Sequence, residues 1–230
     1  MSKAMKKPKT KWGAKVWYNI LSPPYFGEKL LGSVPCNSPE QLIGRRIESS
    51  LYDITEDPAH YQIKLTFKIV AVEGLVAKTA FWGHEYTRDY LRSIVRRGSS
   101  KIDAITNGTT SDGFILRIGV VVLTRRRASI SQRKAIRNLI FEVVSQKAAS
   151  LSLDQLAQEL VLGKVDSEVH NVVKKIHGIR RTGVRKSRVV KPSPEVAAML
   201  TAATPTAAPE EPTAATEEPA TAAEEATAET

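Results

Sequence analysis

Residues 63–82 read IKLTFKIVAVEGLVAKTAFW. Ile63, Leu65, Phe67 and Ile69 alternate with Lys64, Thr66 and Lys68, the period-two pattern of a strand with one buried face and one basic face. Glu73-Gly74 supplies a turn, and Val76, Lys78, Ala80 and Trp82 continue as a second strand. This hairpin sets a β-rich fold. Just upstream, Ile47, Ser49 and Leu51 alternate with Glu48, Ser50 and Tyr52 and predict a further strand. Ser38-Pro39-Glu40-Gln41 has the form of a capping box with Pro at the first helical position, and Gly44 ends that short turn.

Downstream of the hairpin, residues 83–103 read GHEYTRDYLRSIVRRGSSKID. The spacing predicts a helix from about Thr87 to Arg97, with Leu91, Ile94 and Val95 on one face and Gly98 as a left-handed stop. Arg88, Arg92, Arg96 and Arg97 take the other faces, and Lys101 follows in the loop. Guanidinium forks are always charged and match phosphate oxygens, so such a helix can hold a nucleic-acid backbone. A solvated basic face, partly paired with Asp89 and Glu85, accounts for the same pattern.

Ser111-Asp112-Gly113 makes another turn, into the apolar run Phe114 to Leu123, which suits a strand covered on both faces. Arg125, Arg126 and Arg127 end that strand. Ser131 can cap a helix whose buried stripe is Ile136, Leu139, Ile140, Val143 and Val144, and whose first turns expose Arg133, Lys134 and Arg137. Ser152-Leu153-Asp154-Gln155 is a further capping box, with Gly163 closing that helix. A third helical segment, roughly Ser167 to Ile176, leads to the basic extended stretch IRRTGVRKSRVVK at 179–191.

Four regions follow. Residues 1–15 form a basic arm carrying Lys3, Lys6, Lys7, Lys9, Lys11 and Lys15, with too little apolar surface to offset its own ordering, and are expected to be disordered. Trp12, Trp17 and Tyr18 mark its junction with the body, the last two read as core. Residues 16–127 form a β-rich core with the basic helix; residues 128–191 form a helical part plus the basic strand. Residues 192–230 are a low-complexity acidic Ala/Glu/Thr/Pro tail, also expected to be disordered. The fold class is α+β.

The net charge of +10 conceals a polarity, since residues 201–230 hold seven Glu and no Lys or Arg. The first 200 residues therefore set 34 basic side chains against 17 acidic ones. A body so charged repels itself and favours a polyanionic partner. The tail can cover that basic surface transiently, or can simply extend into solvent. The basic residues fall in four clusters: the arm, Arg88 to Lys101, Arg125 to Arg137, and Lys174, Lys175, Arg180, Arg181, Arg185, Lys186, Arg188 and Lys191. Scatter over so many elements favours a partner that surrounds the protein. No finger, homeodomain, basic zipper or RNP motif is present, so the chemistry available is recognition of backbone and shape.

A catalytic reading finds little support. His84-Glu85 has no nucleophile or pocket assigned to it, and a structural role beside Gly83 fits better. His170 and His177 lie seven apart without a cysteine pair nearby, which makes a poor metal site, so neither metal nor cofactor is expected. Single Cys36 reads as a small buried side chain. No apolar run reaches the roughly 20 residues of a spanning helix, and no membrane or small-molecule partner is expected.

The segments WYNILSPPYFG (17–27), IGRRIESSLYDI (43–54), GHEYTRDYLRSIVRRGSSKIDAI (83–105), TTSDGFILR (109–117) and SQRKAIR (131–137) together resemble the small-subunit ribosomal protein family called S-three-Ae, or eukaryotic-type S-one, and its archaeal branch in particular. The resemblance spans roughly Trp12 to Lys191. It implies a non-enzymatic structural constituent of the small ribosomal subunit, on the platform near the mRNA exit. Its partners would be small-subunit rRNA, neighbouring small-subunit proteins, and mRNA or initiation factors near the exit, and its localisation the cytoplasm. It also implies a partly barrel-like β core followed by a helical part and a basic return strand. The rival is an off-ribosome RNA-binding or translation-factor docking module.

Overall fold

The computed structural model describes residues 15–192. Most of the lysine arm (Lys3, Lys6, Lys7, Lys9 and Lys11), Trp12 and the acidic tail from 193 onward lie outside the described residues. Eight strands form one open sheet: β1 (Val16–Leu21), β2 (Leu30–Cys36), β3 (Arg46–Ser50), β4 (Ile63–Glu73), β5 (Val76–Tyr86), β6 (Lys101–Thr109), β7 (Ile115–Thr124) and β8 (Ile179–Lys191). Five helices accompany them: α1 (Leu51–Thr55), α2 (Arg88–Ile94), α3 (Ile130–Ser150), α4 (Leu153–Leu162) and α5 (Lys164–Val173). The fold is thus α+β, with a strongly strand-built first part and a helical second part.

The β4–β5 hairpin is the spine. On one edge β5 pairs along its length with β4, which carries β3 outside it. Two strands share the other edge: β1 pairs with Val76 to Lys78, and β8 pairs with Gly83 to Glu85. β8 then runs antiparallel to β7, and β7 to β6. The helices cover the β6–β7–β8 side, where Ile102, Leu116, Ile118 and Val122 pack with Ile136, Ile140, Val144, Leu156, Val165 and Val169. Ile136, Ile140, Val144 and Ala148 stand at four-residue steps, so α3 presents one stripe to the sheet. Two smaller cores lie under β4–β5 and under β1–β2.

Local chemistry moves several expected boundaries. The strand over 47–52 stops at Ser50, because Ser50 and Asp53 close a capping box (Asp53 N–H to Ser50 Oγ 3.3 Å, Ser50 N–H to Asp53 Oδ2 2.9 Å) that starts α1. The turn at Ser38 is 3₁₀ (Pro39–Leu42), and Ser38 makes no side-chain cap. Helix α2 ends at Ile94 rather than Arg97, since Val95 is extended at φ −79°, ψ 127°. Its Leu91 and Ile94 are half-buried and Val95 is exposed, so α2 rests on the sheet instead of entering a core. Ser129 caps α3 in place of Ser131, with a reciprocal pair to Gln132. At α4 the Ser152 box is absent, and Asp112 Oδ2 accepts from Leu153 N–H at 2.7 Å instead. Gly163 does close α4, at φ 79°, and α5 begins at once on Lys164 instead of near Ser167. Of the two aromatics read as core, Tyr18 is buried but Trp17 is 57% exposed, because adjacent strand residues point to opposite faces.

The β5–β8 junction is narrow and tightly specified. A Cβ on Gly83 would lie 2.3 Å from the Ser187 carbonyl oxygen, so only glycine allows the two backbones to approach. Next to it His84 is fully enclosed. Ser187 Oγ lies 2.7 Å from its Nδ1 and accepts the His84 backbone N–H at 3.1 Å, while Nε2 donates to the Val184 carbonyl at 3.2 Å. That pattern assigns a neutral ring with its proton on Nε2, and burial pushes the His84 pKa down to about 4.

Gly83→Ala should therefore destabilise the protein by about 3 kcal/mol in urea denaturation, since the backbones themselves must part. Gly119→Ala, whose Cβ would sit an ordinary 3.6 Å from the Lys186 carbonyl oxygen, should change stability by less than about 1 kcal/mol. His84 also predicts acid sensitivity. Its folded pKa lies below its unfolded value, so the stabilisation is complete above about pH 6.5 and is lost as pH falls towards 4. Asp166, raised to about 6 chiefly by burial, acts in the opposite sense and gains stability as pH falls. Comparison with His84→Gln removes the Asp166 contribution: between pH 7 and 4.5 the wild type should lose on the order of 2 kcal/mol more than the variant.

Candidate nucleic-acid interface

Because the β6–β7 and β7–β8 ladders are antiparallel, β6 begins, β7 ends and β8 begins at one end of the sheet. Lys101 pairs with Leu123, Leu123 with Arg181, and Thr124 with Ile179. Ser100 ties the neighbouring loops to this end: Thr124 N–H donates to its carbonyl at 3.1 Å, and Ala128 N–H to its Oγ at 3.1 Å. Arg125 N–H donates to the Gly178 carbonyl at 2.9 Å. Three clusters that are distant in sequence are thereby gathered, namely Arg96, Arg97 and Lys101; Arg125, Arg126 and Arg127; and Lys174, Lys175, Arg180 and Arg181. All of these side chains are exposed. Arg133, Lys134 and Arg137 extend the patch along the start of α3.

β8 is built to display cations in pairs. Its register against β7 shifts three times, leaving Arg180, Arg185 and Val190 as extra residues without a partner on β7. Strict alternation would turn one of each neighbouring pair inward. The bulges instead leave Arg180 with Arg181, and Arg185 with Lys186, exposed together. β5 has a comparable bulge, where Thr66 pairs with Gly83 and Phe67 with Phe81, so that Trp82 is the extra residue.

A groove of about 480 Å³ opens beside these bulges. Arg46, Arg117, Arg185, Lys186 and Arg188 line it, with Asp103 its one carboxylate, over an apolar floor of Ile105, Gly119, Val189 and Val190. Trp82 forms part of its wall. The Lys68 ammonium lies 4.4 Å and the Arg46 guanidinium 5.8 Å from the indole centroid, both cation–π contacts. Burial and the adjacent Arg46 charge lower the Lys68 pKa. The buried Trp82 Nε1 has no acceptor among the described residues.

All the arginines of the chain fall within the described residues, and none of them is in an ion pair there: every salt bridge is made by a lysine or by His60. The alternative for Arg88, pairing with Asp89 or Glu85, is not adopted; Glu85 is taken by Lys186 at 2.7 Å. Several arginines are fixed through Nε alone. Arg125 Nε donates to the Ile179 carbonyl at 3.3 Å, Arg137 Nε to the Asp103 carbonyl at 3.2 Å, and Arg117 Nε to Asn107 Oδ1 at 3.3 Å. Each keeps its terminal Nη donors for a further acceptor. Arg181 lies 5.2 Å from the Tyr90 ring centroid.

Arg88 and Arg92 sit apart from this surface. They line a second cleft in which Lys64 joins them and Glu48, Asp53, Glu85 and Asp89 oppose them. That mixture nearly balances its charges, whereas the groove is lined by five cations and one carboxylate. Lys191 ends β8 and is exposed, and Lys15 is half-buried at the start of β1. The other histidines are held within the fold, His170 Nδ1 lying 3.3 Å from Thr182 Oγ1 and His177 Nδ1 3.1 Å from the Gly178 carbonyl. Cys36 is buried, with Sγ 3.4 Å from Gln41 Oε1. Sequence reasoning missed Arg46, Lys68 and Arg117 as a group. Arg117 carried a signal, as the one charge within an apolar run; the others become neighbours of β8 only through sheet pairing. Among the described residues no helix is long and apolar enough to cross a membrane.

Comparison with known proteins identifies the family. The model of the Ribosomal S3Ae family matches residues 3–193. A relative from Desulfurococcus amylolyticus, named small ribosomal subunit protein eS1, is 45% identical over 204 residues, covering 88% of this chain and 96% of its own. The protein of the same name from Saccharolobus solfataricus is 45% identical over 183 residues, covering 80% of this chain and 88% of its own. One from Saccharolobus islandicus is 44% identical over the same length. With the family pattern running from the arm to the end of β8 and near-complete coverage of the relatives, this chain belongs to the ribosomal S3Ae family.

Proposed function

We propose that the protein is a structural constituent of the small ribosomal subunit that holds rRNA backbone between its basic clusters, and that it acts there by positioning, not by chemistry. The observation that carries this reading is the set of arginines without carboxylate partners, brought from three sequence clusters to one end of the sheet and along β8. A fold that leaves so many guanidinium forks without a carboxylate, while the ion pairs it does make fall to lysines and His60, is suited to an external polyanion. Phosphate contacts of this kind set register and orientation and carry no base sequence. The lysine arm, Lys3 to Lys15, is assigned to threading between RNA segments.

The platform near the mRNA exit is the location the family resemblance implies, with mRNA or initiation factors as further neighbours in the cytoplasmic ribosome. The mixed-charge cleft over α2, where Arg88 and Arg92 face four carboxylates, suits a protein neighbour within the subunit better than RNA. The off-ribosome docking alternative differs in one respect. A constituent sediments with small subunits near stoichiometrically through a moderate-salt wash, whereas a docking module is washed off.

Binding of the full chain to naked small-subunit rRNA should weaken steeply with salt. Replacing Arg125, Arg126 and Arg127 by Ser should lower affinity about 10- to 100-fold and reduce the slope of log K against log salt by about 2 to 3. Lys78→Gln, which removes a lysine already paired with Glu73 at 2.6 Å, should leave both nearly unchanged. Equal behaviour of the two variants would refute the reading.

A further inference from the structure

Most of the exposed cations lie on open surface, but those of β8 beyond Gly183 border a groove with a particular origin. β5 and β8 pair over only three residues, Gly83 to Glu85. Past Gly83 they separate: β8 continues along β7 to Lys191, while β5 turns back towards β1, which rejoins it at Lys78. Between these two pairings the outer edge of β5, Thr79 to Trp82, has no strand against it. The groove of about 480 Å³, within the size range of small-ligand sites, opens at this fork: Trp82 lines it from β5, and residues of β6, β7 and β8 supply most of the rest.

We propose that this fork receives a single unpaired nucleotide of rRNA, base inward and phosphates at the rim. The inference rests on the rRNA-binding reading and deepens it. Three features favour a nucleotide over a stretch of backbone alone. First, the floor is apolar and flat, since Gly119 has no side chain and Ile105, 63% exposed, stands beside it on β6. Bare phosphates have no use for such a floor, whereas the face of a base does. Second, the rim carries Arg117 and Arg188, cross-strand neighbours on β7 and β8, with Arg46 from β3 on the opposite wall, so a phosphate on either side of the base meets a guanidinium. Third, Asp103 sits in the same groove; Lys101 holds its Oδ2 at 3.1 Å, and its other oxygen can accept from an exocyclic base amine. Unstacked bases splayed from single-stranded loops are what proteins read most often in RNA. The residues that make the fork, Trp82, Arg185 and Val190, are the extra residues of three separate bulges, devices that commonly re-aim side chains at a site.

Gly119→Leu tests the idea without altering any charge. Its Cβ would meet only ordinary contacts, 3.6 Å to the Lys186 carbonyl oxygen and 3.9 Å to Ile105 Cγ1, and the rest of the side chain would occupy the floor. The probe is naked small-subunit rRNA bound to the full chain, read by nucleotide-resolution chemical footprinting and by ultraviolet crosslinking with peptide mapping. The wild type should shield one unpaired nucleotide and crosslink it to the β8 peptide. Gly119→Leu should lose that protection and crosslink, weaken binding about 10-fold, and keep the remaining footprint. Arg117→Ser with Arg188→Ser should expose the same nucleotide and its flanking phosphates, which guards against a folding defect in the leucine variant. An unchanged footprint in both variants would overturn the proposal. So would a β8 crosslink to paired RNA, or one to the chain's own Glu-rich residues 201–230, which would make the groove a site for an acidic peptide. Failure of the wild type to bind rRNA at all would instead remove the underlying reading, and this inference with it.

Discussion

The close approach of β5 and β8 at Gly83 holds the two parts of the molecule in one sheet. β1 to β5 come from the first part of the chain and β6 to β8 from the second, and the pairing of Gly83, Glu85 and the enclosed His84 with residues 186–188 is the only strand pairing between them among the described residues. The junction tolerates little change. Its backbones are too close for a Cβ, and its histidine is neutral because both ring nitrogens are used inside a dry contact. Unsatisfied buried polar groups are costly, so Ser187 and His84 specify the register of β8 against β5 as well as hold it.

A junction of three residues has geometric consequences. A longer β5–β8 ladder would close the fork and place Arg185 and Arg188 on a strand paired along both edges. A shorter one would let the β6–β8 layer slide on the hairpin. The bulges resolve the conflict between a long β8–β7 ladder and a short β8–β5 ladder, by absorbing extra residues into β8 and increasing its local twist. The same extra residues are those that put neighbouring cations on one side of the strand. Sheet geometry and charge display are thus one feature, and a register slip that removed a bulge would bury an arginine.

This coupling also explains what could be read from the residues beforehand. The β4–β5 hairpin was legible because Ile63 to Ile69 alternate cleanly, and α3 because Ile136, Ile140 and Val144 recur at helical spacing. The stretch 179–191 was legible as extended and basic, but its lack of alternation had no explanation until the bulges were seen. α2 was read too long, because Val95 and Gly98 satisfy a helical pattern that the chain abandons after Ile94. β6 (Lys101–Thr109) was not read as a strand, and it contains Asn107-Gly108, a pair common in turns. Here Gly108 lets the strand pass under α3, where an added Cβ would lie 2.5 Å from Ala148 Cβ. The groove was not legible at all. Arg46, Trp82, Asp103, Arg117 and Arg188 meet only through pairings between strands far apart in sequence, and no local period encodes these.

The ion pairs of the described residues are distributed unevenly between lysine and arginine. Lysine and arginine compete for the same carboxylates, and bidentate geometry gives arginine the stronger pair. If intramolecular stability had shaped this surface, arginines would hold the acids. The opposite is found: Lys29, Lys78, Lys147 and Lys186 hold Glu56, Glu73, Glu168 and Glu85 at 2.6–2.7 Å, and among the described residues the arginines hold none. Exposed lysine pairs of this kind contribute only about 0–1 kcal/mol each, so little stability depends on the arrangement. What it changes is the free surface. With the ion pairs of the described residues made by lysines and His60, the planar, weakly hydrated forks that match phosphate best remain without a carboxylate partner, an arrangement that a polyanion would complement.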